Sequence, residues 1–294
     1  MNIINTVAAL RTTVAQWRAA GERVALVPTM GNLHAGHLQL VEKARAEADR
    51  VIISIFVNPM QFGDASGDGS DFERYPRTFV EDRKKLSDLE ACPDALFSPS
   101  VNEVYPNGFG QETRVEVPEI SDILCGEFRP GHFVGVATVV AKLFNMAQPD
   151  VAVFGEKDFQ QLLVIRRFVA DLCFPVEIIG VPTIREKSGL AMSSRNQYLS
   201  AEECERAAVL FQTLRQAQQK ILSGEKNFAA IKEQANAMLN EAGFRPEYFE
   251  VRRPKDLKQA IEADQELVIL VAAWLGETRL IDNLSFNVGH ISAL

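Results

Sequence analysis

Two histidines three residues apart, His34 and His37, are the side chains in this chain best suited to chemistry. They follow the apolar run Val24–Val27 and a short turn with Gly31 and Asn32, and they open a helical pattern. A strand, a turn and a helix start bind phosphate in many α/β proteins, because N–H groups and the helix dipole favour anions there. Imidazoles at this spacing share one helix face and can carry charge near neutral pH. The stretch indicates a phosphate site, although a polar helix face or half of a zinc site has the same pattern.

Two further polar stretches, Asn58–Phe62 and Gly155–Asp158, directly follow predicted strands. Ligands of open parallel sheets bind beyond the carboxyl ends of the strands, so these stretches are expected near the histidines. Lys157 offers a point charge for phosphate, and Asp158 is suited to cap a helix or to hold Mg²⁺ through water. The alternative for the second stretch is a plain connection between a strand and a helix.

Gln61 and Gln161 are neutral amides that donate and accept hydrogen bonds at once. They suit a substrate that bears hydroxyls and a carboxylate, although a solvated glutamine has the same pattern. The stretch 192–196, with two serines and an arginine, suits a phosphate clamp that closes over a nucleotide. His132 lies at a predicted helix start, where it either lines the site or caps the helix, and His290 is assigned no role.

Composition excludes several classes of function. The chain has 294 residues, 47% hydrophobic and 24% charged, which is ordinary for a globular protein. A net charge of −8 argues against a general nucleic-acid binder. No apolar run has the length of a membrane span, and the first residues lack the features of a signal peptide. Four cysteines without a CxxC pair indicate reduced thiols, so a cytoplasmic location is expected. There is no GxSxG, P-loop or GxGxxG pattern.

Strands that alternate with helices predict an α/β fold with a mostly parallel sheet and helices on both faces. The pattern changes after Pro182, which predicts a Rossmann-like domain over 1–182 and a smaller α+β domain over 183–294. The first domain is expected to hold helices near 7–17, 34–41, 78–89, 133–147 and 156–172, and strands near 24–27, 51–57, 94–97, 113–117, 151–154 and 176–181. The second is expected to hold helices at 200–222 and 228–242 and strands at 247–253, 267–274 and 278–284. Residues 63–71 are expected to form a linker or lid. Their resemblance to the start of a calcium loop fails at Tyr75, where a glutamate is required.

Six ordered stretches resemble the pantoate–β-alanine ligase family. They are PTMGNLHAGH (28–37), FVNPMQF (56–62), YPRT (75–78), RPGHFVGVATVV (129–140), FGEKDFQQ (154–161) and MSSRNQYLS (192–200), followed by AWLG and RLIDN. The resemblance covers nearly the whole chain and implies membership of the HIGH-containing nucleotidyltransferase superfamily. HAGH stands in the HIGH role, and MSSR is similar to the KMSKS loop of class I aminoacyl-tRNA synthetases. The chain departs from the family pattern in a longer, glycine-rich 63–71 loop and an extended tail beyond Asn283.

The resemblance implies a reaction in two steps. The carboxylate of (R)-pantoate attacks the α-phosphorus of MgATP, giving a pantoyl adenylate and pyrophosphate. The amine of β-alanine then attacks the acyl carbon, giving pantothenate, a coenzyme A precursor, and AMP. ATP is thus a co-substrate with Mg²⁺, and the family implies a homodimer. Nucleic acid and membrane are not expected partners.

The resemblance also implies the roles of individual residues. His37 is the acid that assists pyrophosphate departure, and His34, Lys157 and Arg195 share the catalytic work. Gln61 and Gln161 bind pantoate, and Gln61 also meets β-alanine. A separate hypothesis, which does not come from the resemblance, is that the small domain carrying residues 192–195 is a lid that closes on ATP and excludes water. The ligands of the Mg²⁺ are not identified by the resemblance. The expected ATP-binding residues are Met30, Gly31, Asn32, Leu33, His34, Ala35, Gly36, His37, Gly155, Glu156, Lys157, Asp158, Ile184, Met192, Ser193, Ser194 and Arg195.

Two alternatives remain open from the sequence. A nucleotidyltransferase of the same superfamily shares the histidine stretch but joins the nucleotide to a phosphate-bearing acceptor. The paired glutamines favour a singly charged carboxylate acceptor instead. A non-catalytic nucleotide sensor is the second alternative, and the presence of His34, His37, Lys157 and Arg195 together argues against it.

Overall fold

A six-stranded parallel sheet organises the larger part of the chain in the computed structural model, which describes residues 1–62, 71–108 and 112–289. The expected loop at 63–71 lies outside the described residues except for Asp71, and so does His290. The chain forms two compact units. The larger comprises Met1–Glu156 and Gln161–Pro182. The smaller comprises Lys157–Gln160, which links a strand to a helix, and the chain from Thr183.

The larger unit contains all the parallel strands. Its strands are β1 (Asn2–Ile4), β2 (Val24–Thr29), β3 (Arg50–Ile55), β4 (Ala95–Phe97), β5 (Val151–Gly155) and β6 (Glu177–Val181). Its helices are α1 (Val7–Ala19), α2 (Ala35–Glu47), α3 (Asp71–Arg74), α4 (Phe79–Ser87), α5 (Val101–Val104), α6 (Cys125–Phe128), α7 (His132–Ala147) and, beginning in the linking segment, α8 (Phe159–Asp171).

The strand order is β1-β4-β3-β2-β5-β6, and every neighbouring pair is parallel. The chain winds outward from β2 in one direction and from β5 in the other. The crevice where the winding direction changes is the usual ligand site of an open parallel sheet. Here it lies at the carboxyl ends of β2 and β5.

Burial explains why the sheet forms. Val24–Val27 and residues 51–54 are fully buried, as a strand covered on both faces requires. Side chains alternate between the faces, so Ala25 and Val27 join the core under α2, while Leu26 points to the opposite face. The apolar helix α7 is buried almost all round, as its sequence predicted.

Two local predictions differ from the structure. The edge strand β1 was not expected, because three residues carry too little periodicity to be recognised. The expected strand at 113–117 is wrong. The Val115 N–H donates to the Thr138 hydroxyl of α7 at 2.9 Å, so this extended segment is held by a side chain.

The smaller unit is an antiparallel sheet with two helices. It contains α9 (Ala201–Leu222), α10 (Phe228–Glu241), β7 (Phe244–Arg252), β8 (Glu266–Leu275) and β9 (Thr278–Asn287), with β8 in the centre. The predicted capping box of α9 is confirmed, because Ser200 and Glu203 each accept a hydrogen bond from the other's backbone N–H. The α/β fold class with a smaller α+β part is therefore confirmed.

None of the helices in the described part of the chain combines the length and the apolar character that crossing a membrane requires. The functional division into a nucleotide domain and a lid stays a prediction.

Candidate active site

Two histidines cap the helix that follows the central strand β2. His34 is the N-cap residue of α2, and its Nδ1 accepts the Gly36 N–H at 3.2 Å. The His34 N–H in turn donates to Nδ1 of His37 at 3.3 Å. The rings lie 4.1 Å apart between centroids. This reciprocal arrangement is a capping box in which imidazoles replace the usual hydroxyl and carboxylate.

The cap fixes which nitrogen of each ring carries the proton. A ring nitrogen that accepts a backbone N–H is unprotonated, so the neutral form of each histidine carries its proton on Nε2. Both rings therefore present an Nε2–H donor on the side away from the cap. Two adjacent donors at a helix N-terminus suit the oxygens of a phosphate.

The turn before the helix has its backbone donors engaged. Gly31 and Asn32 adopt left-handed conformations, with φ of 82° and 51°. The N–H groups of Asn32 and Leu33 donate to the two carboxylate oxygens of Asp82, each at 2.7 Å. The N–H groups of His34 and Gly36 are used in the cap, so the backbone donors from Asn32 to His34 and that of Gly36 are all engaged within the protein.

Gln61 lies in the one-turn 3₁₀ helix Pro59–Phe62 after β3, and it is only 8% exposed. The Asn58 amide nitrogen donates to the Gln61 side-chain oxygen at 3.2 Å and to the Gly135 carbonyl at 3.1 Å. Since that carbonyl can only accept, the Asn58 orientation is fixed, and Gln61 must present its Nε2 donors elsewhere. That nitrogen lies 3.1 Å from the sulfur of Met30, at the end of β2.

Tyr105 supports Asn58 and, through Asn58, the side chain of Gln61. Its hydroxyl donates to the Asn58 Oδ1 at 2.8 Å, and both side chains are buried. Burial first, and the nearby Glu112 second, raise the pKa of Tyr105 above its ordinary value, so the hydroxyl stays a donor. The hydrogen bonds are therefore all donated in one direction, from Tyr105 to Asn58 and from Asn58 to Gln61.

His132 supports Gln61 from the other side. The N-cap of α7 is Gly131, and the His132 Nδ1 lies 2.8 Å from the Gln61 carbonyl oxygen. Arg129 approaches the His132 Nε2 at 3.3 Å. The carbonyl only accepts and the guanidinium only donates, so the neutral ring carries its proton on Nδ1. The sequence left open whether His132 lines the site or caps the helix. In the structure, its side chain holds the backbone of Gln61, a candidate site residue, and the N-cap position is occupied by Gly131.

The loop after β5 begins next to the end of β2 in the sheet. Gly155 ends the strand, and a Cβ there would meet no atom within 4 Å. The Glu156 carboxylate lies against Gly180 of β6. Gln161 is half-buried in the first turn of α8.

Lys157 belongs to the smaller unit, where its side chain is 17% exposed. Its ammonium lies 3.4 Å from the Asp158 carboxylate, and its carbonyl accepts the Asn283 side-chain amide at 2.9 Å. Asp282, next to Asn283 on β9, makes a two-pronged ion pair with Arg185 at 2.6 and 2.9 Å. Strand β9 thereby holds Lys157 and the segment that carries Ile184.

The 192–195 stretch is also built around β9. The Met192 N–H donates to the Ile184 carbonyl at 2.9 Å, and the Ser193 hydroxyl accepts the Arg195 N–H at 3.2 Å. Ser194 begins the one-turn helix Ser194–Tyr198, which packs on β9. The smaller unit thus brings Lys157, Ile184 and Met192–Arg195 to one strand, and the larger unit brings Met30–His37 and Gln61 together.

The sequence model of the family described as Pantoate-beta-alanine ligase matches residues 2–285. This chain belongs to the pantoate-beta-alanine ligase family.

Several relatives in this family are similar along their full length. A pantothenate synthetase of Pseudomonas fluorescens (strain Pf0-1) is 54% identical over 98% of this chain and 99% of its own. One from Nitrosococcus oceani is also 54% identical, over 99% and 100%. The crystal structure of a pantothenate synthetase from Thermus thermophilus has a TM-score of 0.88 at 46% identity, covering 98% of this chain and 99% of that one. The pantoate-beta-alanine ligase of Francisella tularensis, complexed with Beta-gamma ATP and Beta-alanine, has a TM-score of 0.80 at 34% identity, with 99% and 98% coverage. This chain is accordingly a ligase.

Within this ligase, sequence reasoning missed the residues that hold the site. Asp82 lies about fifty positions beyond the turn it binds, and no local pattern marks it. Tyr105 and Asn283 are similarly remote in sequence from Asn58 and Lys157, to which they donate hydrogen bonds. Asn58 was visible as a polar residue after a buried strand, but its role depends on Gly135 of α7.

No group of three or more His, Cys, Asp or Glu side chains is arranged to hold a metal ion in residues 1–62, 71–108 and 112–289. The Mg²⁺ expected from the resemblance stays a prediction.

Proposed function

We propose that this chain condenses (R)-pantoate with β-alanine at the expense of ATP, through a pantoyl-adenylate intermediate, and releases pantothenate, AMP and pyrophosphate. The observation that carries the proposal is the histidine cap of α2. It presents two Nε2–H donors beside a rigidly held glutamine, in the crevice where ligands of parallel sheets bind. The Francisella tularensis ligase, similar over its whole length, was crystallised with an ATP compound and β-alanine.

In the first step, a carboxylate oxygen of pantoate attacks the α-phosphorus of ATP. The bond from that phosphorus to the oxygen bridging to the β-phosphorus breaks, and pyrophosphate leaves with the electron pair. Such a step needs little covalent chemistry from the protein and depends on positioning and on neutralising charge. His37, assisted by His34, donates hydrogen bonds from Nε2 to the oxygens on which charge develops.

In the second step, the amine of β-alanine attacks the acyl carbon of the adenylate. The bond from the acyl carbon to the phosphate oxygen breaks, AMP leaves, and the nitrogen loses a proton. The amide donors of Gln61 bind a carboxylate or hydroxyl oxygen of pantoate, because the Asn58 contact leaves Gln61 only its Nε2 to offer. Gln161 is proposed as the second amide that binds pantoate.

Lys157 and Arg195 are proposed to neutralise the charge of the phosphates. The backbone of Ile184 and Met192 and the hydroxyls of Ser193 and Ser194 are proposed as further contacts to the nucleotide. Gly155, Glu156 and Asp158 are proposed as further nucleotide contacts. Mg²⁺ is proposed to enter with ATP, because such ions take most of their ligands from phosphate and water. The cytoplasmic location expected from the cysteines, the homodimer implied by the resemblance and the lid role of residues 183–294 stay predictions.

The test is exchange of labelled pyrophosphate into ATP in the presence of pantoate and without β-alanine. We expect pantoate-dependent exchange in the wild type, and AMP release once β-alanine is added. Transfer of the nucleotide to a phosphate-bearing acceptor without pantoate, and without release of AMP, would instead indicate the transferase. Absence of exchange and of turnover would contradict the proposal and favour a nucleotide sensor.

Variants of His37 sharpen the test. His37→Ala is expected to lower the exchange rate by about 100-fold or more, the scale of one positioned acid or donor. His37→Asn keeps an acceptor for the His34 N–H but lacks Nε2, so it should be as inactive while preserving the helix cap. Gln39→Ala, an exposed position on the same helix, is the control and should exchange normally. Near-normal exchange by His37→Asn would show that Nε2 is not the working group.

A further inference from the structure

The turn between β2 and α2 has the geometry of an anion site. In a tight turn that includes residues in left-handed conformations, successive N–H groups can converge on one point and bind an anion. Gly31 and Asn32 adopt such conformations, and the N–H groups of Asn32 and Leu33 converge. A Cβ on Gly31 would lie 3.1 Å from the Asp82 carboxylate, so the turn closes tightly around that group.

The anion in this site is the protein's own. The Asp82 carboxylate accepts both N–H groups at 2.7 Å and the Thr78 hydroxyl at 3.1 Å, and the residue is fully buried. A carboxylate so removed from water needs all its hydrogen bonds, because an unpaired buried charge is costly. Lys85, one turn further along α4, donates to the Leu33 carbonyl at 2.6 Å. Helix α4 therefore holds both polar groups of the Leu33 backbone.

We propose that Asp82 is a positioning residue for adenylate formation. By filling the anion site of the turn, its carboxylate fixes the backbone that leads from Met30 to the capping histidine His34. It also prevents the turn from binding a phosphate, so phosphate recognition by this stretch passes to the imidazoles of His34 and His37. The inference rests on the proposed ligase function.

Asp82→Asn tests this inference with almost no change of shape. An amide offers one acceptor oxygen, so one of the two backbone N–H groups loses its partner in either orientation. We expect pantoate-dependent pyrophosphate exchange to fall by about tenfold or more, the effect of one unmade buried hydrogen bond at a catalytic turn. Condensation of chemically prepared pantoyl adenylate with β-alanine should change by less than about threefold, since no pyrophosphate leaves in that step.

A second variant guards against misfolding. Lys85 is exposed, and Lys85→Met removes the second hydrogen bond from α4 to the turn, the one to the Leu33 carbonyl. This variant should reduce pyrophosphate exchange by a smaller factor and leave the second half-reaction unchanged. Glu81→Gln, exposed and adjacent to Asp82, is the matched control and should behave as the wild type. Thermal unfolding of each variant reports whether it is folded.

The outcomes separate the inference from the proposed function. Loss of pyrophosphate exchange with retention of the second step in Asp82→Asn supports the positioning role. Exchange within about twofold of the wild type overturns it, and so does an equal loss of both half-reactions. Wild-type exchange is measured in parallel, so its absence would remove the proposed function itself.

Discussion

Removing a single oxygen atom in Tyr105→Phe tests whether the orientation of the Gln61 amide depends on the buried chain beneath it. The Tyr105 hydroxyl is the donor to the Asn58 Oδ1, and Asn58 in turn donates to Gln61. Phenylalanine keeps the ring, which packs near Phe56 with 6.3 Å between centroids. The substitution therefore removes the hydrogen bond to Asn58 and keeps the packing of the ring.

The size of the effect follows from burial. The Asn58 side chain is 1% exposed, so water cannot replace the lost donor. A buried acceptor left without a partner costs about 1–3 kcal/mol, and we expect the free energy of unfolding to fall by that amount. The Gly135 carbonyl still holds the Asn58 nitrogen, so Gln61 should loosen without inverting. A hydrogen bond weakened by about 0.5–1.5 kcal/mol corresponds to a KM for pantoate raised about twofold to tenfold.

The assay combines urea denaturation with pyrophosphate-exchange kinetics at varied pantoate and varied ATP. We expect the KM for pantoate to rise while the KM for ATP stays within about twofold, because Tyr105, Asn58 and Gln61 are not members of the histidine cap. Tyr248→Phe is the matched control, since it removes the same atom from a buried tyrosine of the smaller unit. It should lower stability without changing the KM for pantoate.

An unchanged KM for pantoate in a folded, destabilised Tyr105→Phe protein would refute the reasoning. It would mean that the Gly135 carbonyl alone fixes Asn58 and that the hydroxyl contributes only to stability. An equal rise in both KM values would refute it as well, because the effect would then be a general loosening of the larger unit.

Two further variants test the packing and the electrostatics of the larger unit. In Gly135→Ala, the added Cβ would lie 2.7 Å from the Gln61 backbone nitrogen. The overpacking should destabilise the fold by about 1–3 kcal/mol. This exceeds the gain of up to about 1 kcal/mol from the higher helix propensity of alanine, so the free energy of unfolding should fall measurably in denaturation experiments. Burial raises the pKa of Asp94, but hydrogen bonds from the Val51 N–H and from two arginines hold it below its ordinary value. A carboxylate whose pKa is lowered on folding stabilises the fold above about pH 4. This stabilisation is lost as the pH falls through the pKa of the folded state. Asp94→Asn should therefore cost about 1–2 kcal/mol at pH 7, with the difference from wild type disappearing under acid denaturation.

The sequence predicts the elements of this fold well because their patterns are local. The buried run at 51–57 and the apolar helix at 133–147 need no partner to be recognised. The failures are segments whose conformation depends on distant groups. Val115 is held by a hydroxyl of α7, and β1 exists because Asn2–Ile4 pair with β4.

The same division holds for the candidate site. His34, His37, Gln61 and Lys157 are visible because chemical type and position after a strand are local properties. The groups that orient them are not visible, because Asp82, Tyr105 and Asp282 reach the site only through the packing of other elements. Periodicity cannot report a hydrogen bond between residues about fifty or more positions apart, and a buried carboxylate in the sequence resembles any exposed one.

The histidine cap also bears on what His37 can do. While its Nδ1 accepts the His34 N–H, the ring is neutral and its Nε2–H is a hydrogen-bond donor rather than a strong acid. Protonating the ring would turn Nδ1 into a donor and break the cap, so the imidazolium needs compensation from a nearby anion. The departing pyrophosphate of the proposed reaction supplies that charge. The cap thus favours a donor that stabilises charge as it develops, and it makes full proton transfer depend on the leaving group itself.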